Sequence, residues 1–237
     1  MKPFSTVIGT LGIVATLLPA PASAQQTAFD LRPGLTKAEF AELTSEIGSV
    51  LRFRQLGDAT PLGKGNGDVS VQVGNRPTDN RSLGRSMMAF PRVIARFGAS
   101  DRVDIGAFGG FEPDANYGMA GFDTKIALFV QGPARPVSLA IRPSVTSLIG
   151  PSQLLAANAS IDVSISRSFG ALSPYAGVAT TGSIAYERSA NVDLDPAVAN
   201  GSISYAGLSY AFRALVASAE VEKGTRVSYA FRLGTRF

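Results

Sequence analysis

The stretch TRVSYAFRLGTRF (Thr225–Phe237) decides the fold class of this chain. One parity of the stretch is almost entirely apolar and contains Val227, Tyr229, Phe231, Leu233 and Phe237. The other parity is basic, small or polar. Because successive side chains of a β-strand point to opposite faces, a strand here would have one apolar and one basic face. An α-helix would mix the two sets, so the stretch predicts a β-strand.

The same alternation recurs upstream in segments of similar length. The clearest are Val69–Val73, Val103–Ala107, Phe122–Leu128, Val137–Ile141, Ala159–Ile165 and Leu215–Val221. Less regular segments lie near residues 89–98, 174–183 and 202–212, which brings the strands between Val69 and Phe237 to ten. The longest of them reach the roughly 9–11 residues of a tilted membrane strand. Short connections mostly alternate with longer ones at Asn75–Met87, Leu148–Asn158 and Glu187–Asn200, as in barrels with a periplasmic and an outer end.

The N-terminal region has a different pattern and divides in two. Lys2, the apolar run Val7–Ala20 and the small residues Ala22-Ser23-Ala24 predict a cleaved signal peptide over residues 1–24. In residues 25–56, Thr36 and Glu39 form a capping-box pattern, and the apolar residues Phe40, Leu43 and Ile47 that follow have helical spacing. A strand-like segment at residues 51–55 follows this short helix. Residues 57–237 form the predicted barrel domain.

A closed antiparallel barrel with both ends of its sheet on the periplasmic side needs an even number of strands. The chain is therefore predicted to be all-β, an antiparallel up-and-down transmembrane β-barrel of ten strands with a short N-terminal helix. Residues 25–56 would then form a plug or lid. In the alternative, this region contributes to the wall and the barrel has twelve strands.

The composition excludes much of enzyme chemistry. The chain has no Cys and no His, which removes thiol nucleophiles, Ser-His mechanisms and His-ligated metal sites. We therefore expect no enzyme activity, no cofactor and no metal. The basic residues are scattered without interleaved aromatics, so nucleic-acid binding is not expected.

These features together resemble the outer-membrane β-barrel proteins of Gram-negative bacteria, over roughly Val69–Phe237. The most specific element is a terminal Phe237 on an alternating last strand with Tyr229, Phe231 and Leu233. The resemblance implies an assembly signal for the barrel assembly machinery, with outer-membrane lipid as the other partner and the bacterial outer membrane as the location. A soluble secreted barrel, with its apolar parity inward, is the alternative.

If the apolar parity faces lipid, the polar parity lines the lumen. The candidate lumen charges are Arg92, Arg96, Asp104, Asp123, Lys125, Arg142, Asp162, Glu220, Glu222, Arg226, Arg232 and Arg236. Unpaired charges in a narrow lumen would cost several kcal/mol each, so they either form ion pairs that close the interior or flank a hydrated pore. We expect Glu220 and Glu222 to pair with Arg226 and Arg232 across the last hairpin.

The sequence therefore predicts a non-enzymatic outer-membrane barrel, either a structural or surface protein or a narrow pore for small solutes. The alternative is a barrel, in the membrane or secreted, that binds an apolar ligand in its lumen.

Overall fold

Ten antiparallel strands form a closed barrel in the computed structural model, which describes residues 31, 34–77, 87–89, 91–112, 117–188 and 194–237. The single helix among these residues is α1 (Lys37–Leu51). The strands are β1 (Gly67–Pro77), β2 (Met87–Ala89), β3 (Arg92–Gly98), β4 (Val103–Glu112), β5 (Tyr117–Phe129), β6 (Ser138–Ile149), β7 (Leu154–Ser166), β8 (Leu172–Glu187), β9 (Ala197–Phe212), β10 (Leu215–Lys223) and β11 (Val227–Arg236).

Each strand from β3 to β11 pairs with its neighbour along the chain, and β1 pairs with β3 and β11. The β1–β11 register runs from Asp68 opposite Arg236 to Gly74 opposite Ala230, and it closes the sheet. The short β2 also pairs with β1, at Asn75 opposite Ala89, so β2 and β3 are successive parts of one wall strand. The predicted ten-stranded antiparallel barrel with a short N-terminal helix is confirmed.

The two ends of the barrel differ in their connections. At one end, called the turn end, lie Phe237, residues 61–66 and the connections 99–102, 130–137, 167–171 and 213–214. At the other, called the loop end, lie the connections 150–153 and 224–226, together with residues 188 and 194–196 of the β8–β9 connection. The long connection predicted at Leu148–Asn158 is wrong, because β6 continues to Ile149 and β7 begins at Leu154. The apolar inward side chains of Leu148 and Leu154, which pack with α1, obscure the alternation there.

The apolar parity of the strands lies on the outer surface, and the polar parity lies inside. Phe122 is 67% exposed and Phe231 is 64% exposed, whereas their neighbours Asp123 and Arg232 are buried. Val163 is likewise exposed and Ser164 buried. The interior is therefore polar along most of its length, which is the reverse of a soluble barrel with an apolar core.

Residues 1–24, predicted to be a signal peptide, lie outside the described residues. Within the described ranges, no helix is long and apolar enough to span a membrane.

Candidate functional site: a charged lumen occupied by the N-terminal segment

Residues 34–60, called the plug below, run through the barrel from the loop end to the turn end. Before the plug, the Leu31 amide donates to Oε1 of Gln153 in the β6–β7 connection, at 3.2 Å. Beyond it, the Gly65 amide donates to the Gly98 carbonyl at the turn end, at 2.9 Å. Residues 52–60 form no strand. The structure thus places this region inside the barrel, and the strand-like segment predicted at residues 51–55 is wrong.

The helix of the plug begins and packs as its sequence indicates. Thr36 and Glu39 form a reciprocal capping box at its N-terminus. One face buries Phe40, Leu43, Ile47 and Leu51 against inward side chains of the loop end, among them Met119, Leu148, Leu154, Ala156 and Ala185. The opposite face, with Ala38, Ala41 and Glu42, is exposed. The helix therefore fills the loop end of the lumen with an apolar cluster.

Ten of the candidate lumen charges have buried side chains on inward positions of the wall. They are Arg92, Arg96, Asp104, Asp123, Lys125, Arg142, Asp162, Glu220, Glu222 and Arg232. The Arg236 side chain lies at the turn-end rim and is 36% exposed. Arg226 lies outside the strands, in the 224–226 connection, because β11 begins only at Val227.

Sequence reasoning missed four further buried charges: Arg52, Arg54, Asp58 and Asp68. Three of them belong to the plug. With these included, the buried charged side chains of the described residues are seven cations and seven anions. The plug supplies two of the cations and one of the anions. The signal available for Arg52 and Arg54 was the strand-like pattern of residues 51–55, which indicated a wall strand rather than a lumen-filling segment. Asp68 lies on the polar parity of the alternating segment at Val69–Val73.

Ion pairs join the plug to the wall near its centre. Arg52 pairs with Asp162 through Nη1, at 3.4 Å, and with Glu222 through Nη2. Arg54 Nε lies 3.5 Å from Glu222 Oε2. Removing Arg52 would leave Asp162 buried without its ion-pair partner, which costs far more than breaking an exposed pair.

A second set of ion pairs lies within the wall. Lys125 pairs with Asp104 at 2.9 Å, and Arg96 and Arg142 both approach Asp123, at 3.4 and 3.5 Å. Arg232 pairs with Asp68 on the adjacent β1. The expected pairing of Glu220 and Glu222 with Arg232 is not what the register provides, because Arg232 lies opposite Ser218.

Wall cations also satisfy the backbone of the plug, which has no strand partner. Arg92 donates from Nη1 to the Arg52 carbonyl at 2.8 Å, and Lys125 donates to the Thr60 carbonyl at 2.5 Å. Arg232 donates to the carbonyl of Leu56, at 2.9 Å. Leu56 has a φ of 38°, in the left-handed region that a Leu rarely adopts, so surrounding contacts hold it there.

Phe53 of the plug contacts two wall arginines. Its ring centroid is 5.2 Å from Cζ of Arg96 and 5.6 Å from Cζ of Arg142. A phenylalanine ring attracts cations to its face, so Phe53 gives both guanidinium groups a favourable contact with the plug. Asp123, which both arginines approach, supplies the counter-charge.

Two tyrosines on adjacent strands form a further contact with the plug. Tyr175 on β8 lies opposite Gly207 on β9, and Gly177 lies opposite Tyr205. Each ring occupies the space that a β-carbon on the opposite glycine would need. Such coverage of a glycine by a cross-strand aromatic fixes the position of the ring. The Tyr205 hydroxyl then donates to Oε1 of Gln55, at 2.9 Å.

At the loop end, an exposed ion pair joins the start of α1 to the β8–β9 connection. Lys37 Nζ lies 2.5 Å from Asp195 Oδ2. The hydrogen bond and charge of Lys37 lower the pKa of the Asp195 carboxyl below its ordinary value.

The lumen therefore contains balanced charges, most of them in ion pairs, around a segment of the chain itself. Among the residues that the structure describes, no group of three or more acidic residues is arranged to hold a metal ion. The arrangement fits interior cross-linking better than a continuous water-filled path.

The four residues of the expected assembly signal lie on or just after β11. Tyr229, Phe231, Leu233 and Phe237 are all exposed on the outer surface.

Comparisons with known proteins agree with the fold and add no specific relative. No family model matches the chain, and no curated protein matches it. Similar solved structures include the N-terminal β-barrel domain of Pseudomonas aeruginosa OprF, at 12% identity and a TM-score of 0.37, covering 74% of this chain and 99% of that one. LpxR from Salmonella typhimurium is 9% identical with a TM-score of 0.43, covering 71% and 99%.

A third similar structure is the outer membrane protein OprG from Pseudomonas aeruginosa, at 9% identity and a TM-score of 0.36, covering 76% of this chain and 99% of that one. The chain resembles outer-membrane barrels in fold. Its own strand order shows the closed antiparallel barrel directly. Similarity at this level says nothing about function.

Proposed function

We propose that this chain is an outer-membrane β-barrel whose lumen is closed by its own N-terminal segment, and that it acts as a structural or surface protein. The membrane part of the proposal rests on the outer surface. Large apolar side chains such as Phe122, Val145, Ile161, Val178 and Phe231 are exposed around the barrel. Soluble monomers rarely expose continuous apolar area beyond a few hundred Å², so lipid is the solvent that suits this surface.

The proposed orientation rests mainly on the two ends of the sheet. Outer-membrane barrels place their short turns and the ends of the sheet in the periplasm and their longer loops outside. The turn end, where β11 ends and β1 begins, would thus face the periplasm. The loop end, with the exposed face of α1, would face the cell exterior. Outer-membrane lipid and the barrel assembly machinery, which would read the strand ending in Phe237, are the partners in this proposal.

The observation that carries the closed lumen is the contact of Arg52 with Asp162 and Glu222. It ties the plug to two strands on the inner wall, and the plug backbone is held by further wall donors. A solute pore would require this buried network to be displaced, so we favour a structural or surface role over a narrow pore.

The filled lumen also bears on the two other functions, apolar-ligand binding and catalysis. The apolar part of the lumen is already filled by α1, so no described surface favours an apolar ligand in the interior. The chain has neither His nor Cys, and the proposal includes no catalytic activity.

Conductance in planar bilayers tests the closed lumen. We expect the full chain to insert without stepwise conductance. The variant Arg52→Asp/Arg54→Asp would place four like charges together at the centre of the lumen, displace the plug and produce measurable current. Equal conductance from the full chain and the variant would contradict a closed lumen. Recovery of the protein from the periplasm without detergent would contradict the membrane location.

A further inference from the structure

Three hairpin connections of the turn end each place an arginine over a phenylalanine ring. The guanidinium carbons lie 4.8, 4.9 and 5.3 Å from the ring centroids in the pairs Arg135–Phe129, Arg167–Phe169 and Arg213–Phe212. All six side chains are exposed. They are called the collar below. The same motif thus recurs at the three consecutive turn-end connections between β5 and β10.

The collar lies in a basic rim. The turn-end connections carry five basic side chains, of Lys64, Arg102, Arg135, Arg167 and Arg213, and one acidic side chain, of Asp101. At the loop end, the described residues are mixed, with Glu42 and Asp195 exposed beside Lys37 and Lys223. Among the residues that the structure describes, the connections with a clear excess of positive charge are therefore those of the turn end.

The collar arginines are held in place without using their hydrogen-bond donors. A guanidinium stacked on an aromatic ring contacts it through its face, which leaves the N–H groups at its edge free. Within the described part of the chain, none of the three forms an ion pair. Planar N–H groups of this kind match the paired oxygens of a phosphate.

The backbone conformation of Arg213 is a second indication that the collar has a role. It has a φ of 55°, the left-handed conformation that Gly or Asn usually supplies in a two-residue hairpin turn. An arginine there is strained, and strain of this kind marks positions where the side chain itself is needed.

We propose that the collar binds the phosphate groups of anionic phospholipids in the membrane leaflet at the turn end. The inference rests on the proposed membrane location. Outer-membrane barrels carry girdles of aromatic residues at both membrane interfaces, so the phenylalanines place the collar at the level of the headgroups. Each arginine near an anionic surface then raises the association constant by on the order of fivefold.

Competitive quenching tests the proposal in the full chain, which has no Trp of its own. The variant Leu215→Trp places a fluorophore beside Arg213, and brominated phosphatidylglycerol competes with brominated phosphatidylcholine for the surrounding positions. We expect preferential quenching by phosphatidylglycerol, and loss of that preference in Arg135→Gln/Arg167→Gln/Arg213→Gln. The matched loop-end control, Lys37→Gln/Arg188→Gln/Lys223→Gln, removes the same charge and should keep the preference.

Two further measurements distinguish a failure of the membrane location from a failure of lipid binding by the collar. A Val163→Trp variant reports insertion, because this position lies on the lipid-facing parity; loss of its quenching by brominated acyl chains would overturn the membrane location itself. Equal quenching by both lipids, or a preference that survives the triple collar variant, overturns the collar alone. Inorganic phosphate at constant ionic strength should leave the lipid preference intact. If it abolishes the preference, the collar binds free phosphate and the lipid proposal is wrong.

Discussion

Gly48 of α1 lies so close to Ser183 of β8 that a β-carbon at position 48 would overlap the serine side chain. The Ser183 hydroxyl is also held by Nδ2 of Asn158, which donates to it at 2.9 Å. The helix can approach the wall here only because one residue has no side chain. The contact therefore fixes how deeply the plug enters the lumen.

Gly48→Ala should destabilise the protein by about 1–3 kcal/mol, because the methyl group has no space. In a helix without this contact, the same change would stabilise the helix by about 1 kcal/mol. The sign of the change in the free energy of unfolding therefore distinguishes the two cases. Adding Ser183→Gly should recover much of the loss. Urea unfolding in detergent micelles measures both variants. A neutral or stabilising Gly48→Ala would contradict the close packing.

Arg52→Met should destabilise the fold by about 3–5 kcal/mol, because it leaves Asp162 and Glu222 buried without their shared cation. The control Arg188→Met removes an exposed arginine and should leave the urea midpoint unchanged. Proteolysis of the plug in the folded protein gives an independent measurement. If the two variants unfold at the same midpoint, the buried network does not hold the plug.

The strands of the wall were predictable because alternation depends only on neighbouring residues of the same strand. Alternation along Ala159–Ile165 or Leu215–Val221 specifies which side chains face outward without knowledge of any neighbour. Strand register is different. Arg232 pairs with Asp68 because the closure of β11 on β1 brings them together, and no pattern within either strand contains that information.

The plug was the least predictable part for the same reason. Residues 52–60 form neither helix nor strand, because wall side chains such as Arg92 and Lys125 replace the usual backbone partners. Their role depends on a lumen that exists only after the barrel closes. The capping box and apolar spacing of α1 are local, and these were readable from Thr36, Glu39 and Phe40.

Lys37→Met should raise the pKa of Asp195 to the ordinary aspartate value of 3.8. In the folded protein the pKa lies below that of the unfolded chain. The pair therefore contributes stability above the ordinary pKa and loses it as the pH falls through the lowered one. The carboxyl NMR shift of Asp195, followed against pH in micelles, measures its pKa in both proteins. Added salt should reduce the difference between the two proteins, and identical titrations would mean that Lys37 does not contact Asp195.

The passage of the plug through the barrel gives the two ends different accessibility in cells. The exposed face of α1 lies at the loop end, which the proposed orientation places outside, whereas the β5–β6 connection lies at the turn end, which the same orientation places in the periplasm. Because the chain has no Cys, single substitutions report each end without background. Ala38→Cys and Ala134→Cys are matched in chemistry, and both positions are exposed.

A bulky, membrane-impermeant maleimide should label the Ala38→Cys variant in intact cells, because the start of α1 would be at the surface. It should label the Ala134→Cys variant only after the outer membrane is permeabilised. The reverse result would invert the orientation while leaving the plug in place. Labelling of the Ala38→Cys variant only after permeabilisation, together with the Ala134→Cys variant, would show that the plug does not emerge at the cell surface. The threaded path from Gly34 to Thr60 would then not describe the protein in its membrane.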